Sequence, residues 1–131
     1  MSTLSCPCGL QNTYEECCGK IHKSIFNAKT AEQLMRSRYT AFVKAKGNYL
    51  MQSHHSSTRP IKDKKALVNW AKSVSWIKLE VLETFMGKEK DSEGTVTFKA
   101  IFYENGKINS IDEKSAFIKE HNHWVYLGLA E

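Results

Sequence analysis

The chain has 131 residues, with 41% hydrophobic and 25% charged side chains, only two prolines, seven glycines, and a net charge of +5. This is one domain's worth of ordinary globular composition, which excludes a collagen-like, low-complexity or disordered chain. The longest apolar stretch, Trp124 to Ala130, is far short of the twenty or so residues of a membrane-spanning helix. The first fifteen residues carry no Lys or Arg and no apolar run, so a cytoplasmic protein without a secretory leader is expected.

All four cysteines fall within residues 6–18, as Cys6-Pro7-Cys8-Gly9 and Cys17-Cys18-Gly19. Three chemistries compete for such a cluster. Disulfides are disfavoured in reducing cytosol, and bridging the adjacent Cys17 and Cys18 would strain the backbone. An iron–sulfur cluster uses the same ligands, but adjacent cysteines are not its usual spacing. Structural zinc fits best: two close pairs of thiolates can close a tetrahedral shell around one ion, with Gly9 and Gly19 letting the backbone fold tightly. His22, four residues beyond Cys18, could stand in for one thiolate. Four cysteines leave no open coordination position for a catalytic water, so the ion's expected role is to fold a segment too short to bury its own core.

The next element is helical. Thr30 and Gln33 fit a capping box. Ala31, Leu34, Met35, Ala41, Phe42 and Ala45 then recur at the spacing of a core-facing stripe. Gly47 is read as interrupting this helix, with a further turn at Tyr49–Met51, a loop at Ser56–Pro60, and another helix carrying Leu67, Val68, Trp70, Ala71 and Val74. Arg38 falls on the apolar stripe, where a guanidinium needs a carboxylate or several carbonyls. Glu113 is the first choice of partner, ahead of Glu80, Glu83, Glu104 and Asp112.

Residues 75–129 alternate with period two. Ile77, Leu79, Val81 and Phe85 share one face of the first strand, with Lys78, Glu80 and Thr84 opposite. Val96, Phe98, Ala100 and Phe102 repeat the pattern. Asn105-Gly106 suits a two-residue hairpin turn, and a second turn is expected at Glu120–Asn122, before a strand from Trp124. Short connections impose antiparallel pairing, so the class is α+β, with helices against a curved antiparallel sheet. Trp70, Trp76 and Trp124 are read as core residues.

Charge is unevenly distributed: residues 31–75 carry net +7 and residues 76–131 net −3. A basic middle could attract a polyanion, but no nucleic-acid signature accompanies it, and a solvated helical face explains it more simply. His54 and His55 are adjacent and so cannot both point into one pocket from regular structure. One is expected to pack at a helix end and the other to be solvated. No nucleophile–base pair is evident, so nothing in the residues marks an enzyme.

The cysteine pattern resembles the SEC-C motif, a zinc knuckle found at the C-terminus of the SecA translocase and linked there to chaperone and ribosome contacts. The run Leu34-Met35-Arg36-Ser37-Arg38-Tyr39-Thr40-Ala41-Phe42, with Tyr49-Leu50, His55, Trp76, Glu113-Lys114-Ser115-Ala116-Phe117, Trp124 and Tyr126, resembles the YchJ family. That resemblance implies a knuckle over residues 1–22 and, over 23–131, a cone-like domain similar to nuclear transport factor 2. It implies one zinc ion on Cys6, Cys8, Cys17 and Cys18, and a protein- or ribosome-interaction module. A small-molecule pocket or enzyme site in the cone, around Arg38, Tyr39, His55, Trp76 and Glu113, is the alternative.

Overall fold

A computed structural model describes residues 5–130. The outer ends of the two segments read from the sequence, 1–4 and 131, lie outside the described residues. Four helices, α1 (Cys18–Lys23), α2 (Ala31–Val43), α3 (Gly47–Gln52) and α4 (Lys64–Ser73), precede four strands, β1 (Ser75–Met86), β2 (Glu93–Glu104), β3 (Lys107–Glu120) and β4 (His123–Leu129). The strands form one antiparallel meander in the order β1-β2-β3-β4. This is the α+β arrangement that the helix-then-strand pattern predicts.

The sheet is closed by two tight turns. Asn105 and Gly106 both take positive φ, the requirement of the hairpin turn their pairing predicts, and His121 and Asn122 do the same without a glycine. β1 departs from simple alternation. The register slips between Trp76 and Lys78 and again between Val81 and Glu83, which leaves Ile77 and Leu82 as unpaired bulge residues. Trp76, Leu79 and Val81 therefore stand opposite the inward Phe102, Ala100 and Phe98. Ile77 and Phe85, expected on the buried face, are 48% and 65% exposed. Bulges bend the strand that carries them, and a third, at Leu127 between the pairs Ala116–Gly128 and Phe117–Tyr126, bends β4.

α2 is the buried centre of the helical layer. Its Thr30 cap forms as expected, the hydroxyl accepting from the Gln33 amide N–H. The Gln33 side chain reaches back one residue further than a capping box requires, accepting from the N–H of Lys29 at 2.6 Å. Leu34, Met35, Tyr39 and Ala41 join Leu50, Val96, Phe98, Phe117, Trp124 and Val125 in one core. The helix ends earlier than its stripe suggests. Ala45 lies past the end with φ 56°, and the N–H groups of Ala45 and Lys46 return to the carbonyls of Phe42 and Ala41. This is a Schellman cap with alanine in the place glycine usually fills. Gly47 is the first residue of α3 rather than the break, and a Cβ there would lie 2.6 Å from Val68 Cγ2 on α4.

The chain after α3 docks on β4. Ser53 carbonyl accepts from the Tyr126 N–H, and the His55 N–H donates to the Tyr126 carbonyl, both at 2.8 Å. This pairing carries Tyr126 to the α2–α3 corner, where Arg38 lies.

Candidate metal centre and cone cavity

The four cysteine sulfurs converge. Every pair lies within 4.8 Å, and Cys8 and Cys17 are 3.6 Å apart. That separation is far beyond the S–S bond of about 2.05 Å in a disulfide. It is close to the edge, about 3.8 Å, of a tetrahedron with metal–sulfur bonds of about 2.3 Å. The donor set therefore fits one ion held by Cys6, Cys8, Cys17 and Cys18. Cys6, Cys8 and Cys18 are buried and Cys17 is half-buried.

Local folding explains the convergence. Cys6 donates its N–H to Asn12 and the Gly9 N–H returns to Cys6, turning the first pair back on itself. Gly9 has φ +97°, a conformation cheap only for glycine. Gly19 is needed for space: a Cβ would lie 2.6 Å from the Tyr14 carbonyl oxygen, which accepts the Gly19 N–H. α2 supplies the surroundings. Thr40 donates its hydroxyl to Cys18 Sγ at 3.3 Å, and Arg36 Nη1 donates to the Cys8 carbonyl at 2.6 Å while its Nε pairs with Glu32. Such contacts orient ligands and hold the site on the fold.

Protons are unevenly shared among these thiols. Hydrogen bonds from Cys18 and Cys8 pull Cys6 well below the ordinary thiol range, whereas Cys18 is pushed far up by the same hydrogen bonds and by burial. Burial and the neighbouring Cys8 push Cys17 up to about 12. Four clustered sulfurs cannot all ionise against one another, but a divalent cation would remove that penalty.

His22 is placed elsewhere. Its Nε2 donates to the Ser37 carbonyl at 2.8 Å, and its Nδ1 accepts from the Tyr14 hydroxyl at 2.7 Å. Both ring nitrogens are occupied, so the expected substitute ligand is a neutral bracket between the knuckle and α2. Burial lowers its pKa, consistent with that state.

A second feature lies between α2, α4 and the inner face of the sheet. A cavity of about 260 Å³ is lined by Arg38, Tyr39, Trp76 and Glu113, four of the five pocket residues expected from sequence. His55 is not among them; its neighbour His54 is. The parallel bridge between His54 and Tyr126 stands His54's ring edge-on to Tyr126, with centroids 5.0 Å apart. Burial and the nearby Arg38 lower its pKa to about 4, so it is neutral at pH 7. His55 is half-buried away from the cavity, 2.7 Å from the Ser57 hydroxyl and 3.5 Å from Glu120. This hydroxyl–imidazole–carboxylate chain has no counterpart in the sequence reading, because Glu120 is 65 residues away. None of the three lines the cavity.

Arg38 does not form the expected ion pair with Glu113. Its Nη1 donates to the Leu50 carbonyl at 2.9 Å and to Ser53 Oγ at 2.8 Å, and its guanidinium lies 4.7 Å from the centre of the Tyr126 ring. The Leu50 carbonyl, the Ser53 hydroxyl and an aromatic face replace the carboxylate. Burial lowers its pKa to about 10, which leaves it charged. Trp70 and Trp76 line the cavity rather than filling the core, and Trp124 is fully buried.

Comparison with known proteins agrees with this architecture. Residues 30–128 match the family described as YchJ, middle NTF2-like domain. A UPF0225 protein of Streptomyces coelicolor is 42% identical over 126 residues, covering 96% of this chain and 94% of that protein. One from Vibrio parahaemolyticus is 38% identical over 94% of this chain and 72% of its own length. The solution structure of a SEC-C motif containing protein from Rhodopseudomonas palustris superimposes with a TM-score of 0.83 at 32% identity, covering 95% of both chains. The crystal structure of a SEC-C motif containing protein from Psychrobacter arcticus gives 0.80 at 30% identity, over 97% of this chain and 83% of that one. By sequence through its whole core and by fold through nearly its whole length, the chain belongs to the YchJ family of UPF0225 proteins.

Proposed function

We propose that this chain is a cytoplasmic zinc-binding protein whose metal folds an N-terminal knuckle against α2, to present a docking surface for a protein or the ribosome. The observation that carries the metal is the meeting of four sulfurs, and no other His, Asp or Glu of the described residues joins them. Thiolate ligands and a four-fold shell favour zinc over the harder divalent ions. A shell closed by four protein ligands serves structure, since catalytic zinc keeps a position for water. The organisation follows: residues 1–22 as the metal-folded appendage, and 23–131 as the cone-like domain. Elemental analysis of protein purified without added metal should find about one zinc per chain. Less than half an equivalent, with thiols unoxidised, contradicts the assignment. Docking is tested by co-sedimentation with ribosomes: binding that Cys8→Ser abolishes supports it, and binding unaffected by that change contradicts a role for the knuckle.

A second reading is favoured by the cavity itself. An apolar chamber with a few convergent polar groups is the usual form of a small-molecule site. In this reading the cone binds a ligand beside Arg38 and Tyr39. Ligand-induced shifts of the Trp70 and Trp76 indole resonances would support it.

A further inference from the structure

The cone cavity is lined by two opposite charges that do not meet. Arg38 and Glu113 both border it, and no ion pair joins Arg38 to a carboxylate among the described residues. Both act on one ring: the Arg38 guanidinium lies over Tyr126, whose hydroxyl pKa is raised by burial first and by Glu113 next, while Arg38 lowers it. Arg38 uses a single nitrogen, Nη1, for its protein hydrogen bonds. Nε and Nη2 have no partner among the described residues, yet no fully buried side-chain nitrogen or oxygen there is left unpaired. These N–H groups therefore border open space, and the space bordering Arg38 is the cavity. On the other side, Glu113 has only Oε2 engaged, by the Ser115 hydroxyl at 3.2 Å. His54, also in the lining, is neutral. Trp70, Trp76, Phe42, Phe98 and Phe117 supply apolar walls.

Charge complementarity selects the occupant. A simple anion would satisfy Arg38 but face Glu113 in a medium that screens poorly, and a simple cation would do the reverse. An uncharged apolar molecule would displace water from both charges and replace it with nothing. A molecule carrying both charges matches both walls. The planar N–H fork of Arg38 suits a carboxylate, which it can hold with two parallel hydrogen bonds. A volume of about 260 Å³ holds roughly a dozen non-hydrogen atoms at interior packing density. We propose that the cavity binds a small zwitterion with an apolar tail, of the aromatic α-amino acid class. Its carboxylate lies on Arg38 Nε and Nη2, its ammonium on the free oxygen of Glu113, and its side chain against Trp70 and Trp76.

This rests on the small-molecule reading of the cavity, and the test separates the two. The full chain, metal-loaded as purified, is titrated with L-phenylalanine, with 3-phenylpropionate, which lacks the amine, and with 2-phenylethylamine, which lacks the acid. The Trp70 and Trp76 indole N–H resonances are followed by NMR. L-Phenylalanine is expected to shift them saturably, each singly charged analogue to bind at least tenfold more weakly, and Glu113→Gln to weaken L-phenylalanine at least tenfold. Glu113 contributes only one part-buried side-chain hydrogen bond to the fold, and an unchanged amide spectrum outside the cavity confirms that the variant is folded. Equal binding of either analogue, or no effect of Glu113→Gln, overturns the zwitterion while leaving a ligand cavity. No shift with any of the three overturns both.

Discussion

A guanidinium taken from water costs several kcal/mol unless its N–H groups are met. Arg38 is met by the Leu50 carbonyl, Ser53 Oγ and the Tyr126 ring, and so ties α2 to α3 and to β4. Arg38→Ala should therefore lower stability by about 3 kcal/mol, measured by denaturant unfolding, because it removes packing and leaves a hydroxyl and a carbonyl facing a void. A loss below about 1 kcal/mol would show that the corner holds without it. His54 predicts a pH effect. Its native pKa, about 4, lies below its ordinary 6.5. Between those values the unfolded chain binds more protons than the native one, so stability is full above pH 6.5 and falls as pH drops toward 4. His22, also lowered, acts in the same direction. Thermal midpoints at pH 7.5 and 5 should differ less in His54→Leu than in the parent; an identical difference would remove His54 as a contributor.

Elements differ in how far the sequence declares them. The cysteine site is legible because its ligands are close in the chain and chemically distinctive. The long helix and the Asn105-Gly106 turn are legible because one period or one residue pair decides them. Arg38 on the buried stripe is legible too, but its partners are not: a backbone carbonyl and a serine hydroxyl carry no sequence signal, whereas the acid that seemed necessary did. The bulges at Ile77 and Leu82 are harder to read: Glu83 breaks the apolar face of β1, but which residues go unpaired is set only by the register with β2. His54 takes the place expected for His55 because a one-residue change inverts which side chain faces the sheet. The end of α2 gives a test at this scale. Ala45 holds φ 56°, where a Cβ costs about 1 kcal/mol. Ala45→Gly should raise stability by no more than about 0.5 kcal/mol by thermal or chemical unfolding, the relief of the cap being partly offset by the freer unfolded chain. A destabilisation would mean that the Schellman turn is not populated.

At the scale of the molecule, a cone-like domain supports a knuckle that has little core of its own. Cys6, Cys8 and Cys18, with Tyr14 and Cys17 against them, form a cluster separate from the main core. They are held to α2 by Thr40, Arg36 and the His22–Ser37 bridge. Cys8→Ser should therefore speed amide exchange in residues 5–22 at least tenfold while β2 and β3 keep their protection. Global loss of protection would make the metal a condition for the whole fold. The central claim is the closed four-sulfur shell, and X-ray absorption at the zinc edge of the purified protein tests it most directly. Four sulfur neighbours at about 2.3 Å and no nitrogen shell is the predicted result. Three sulfurs with an imidazole or water nitrogen/oxygen neighbour at about 2.0–2.1 Å would contradict it.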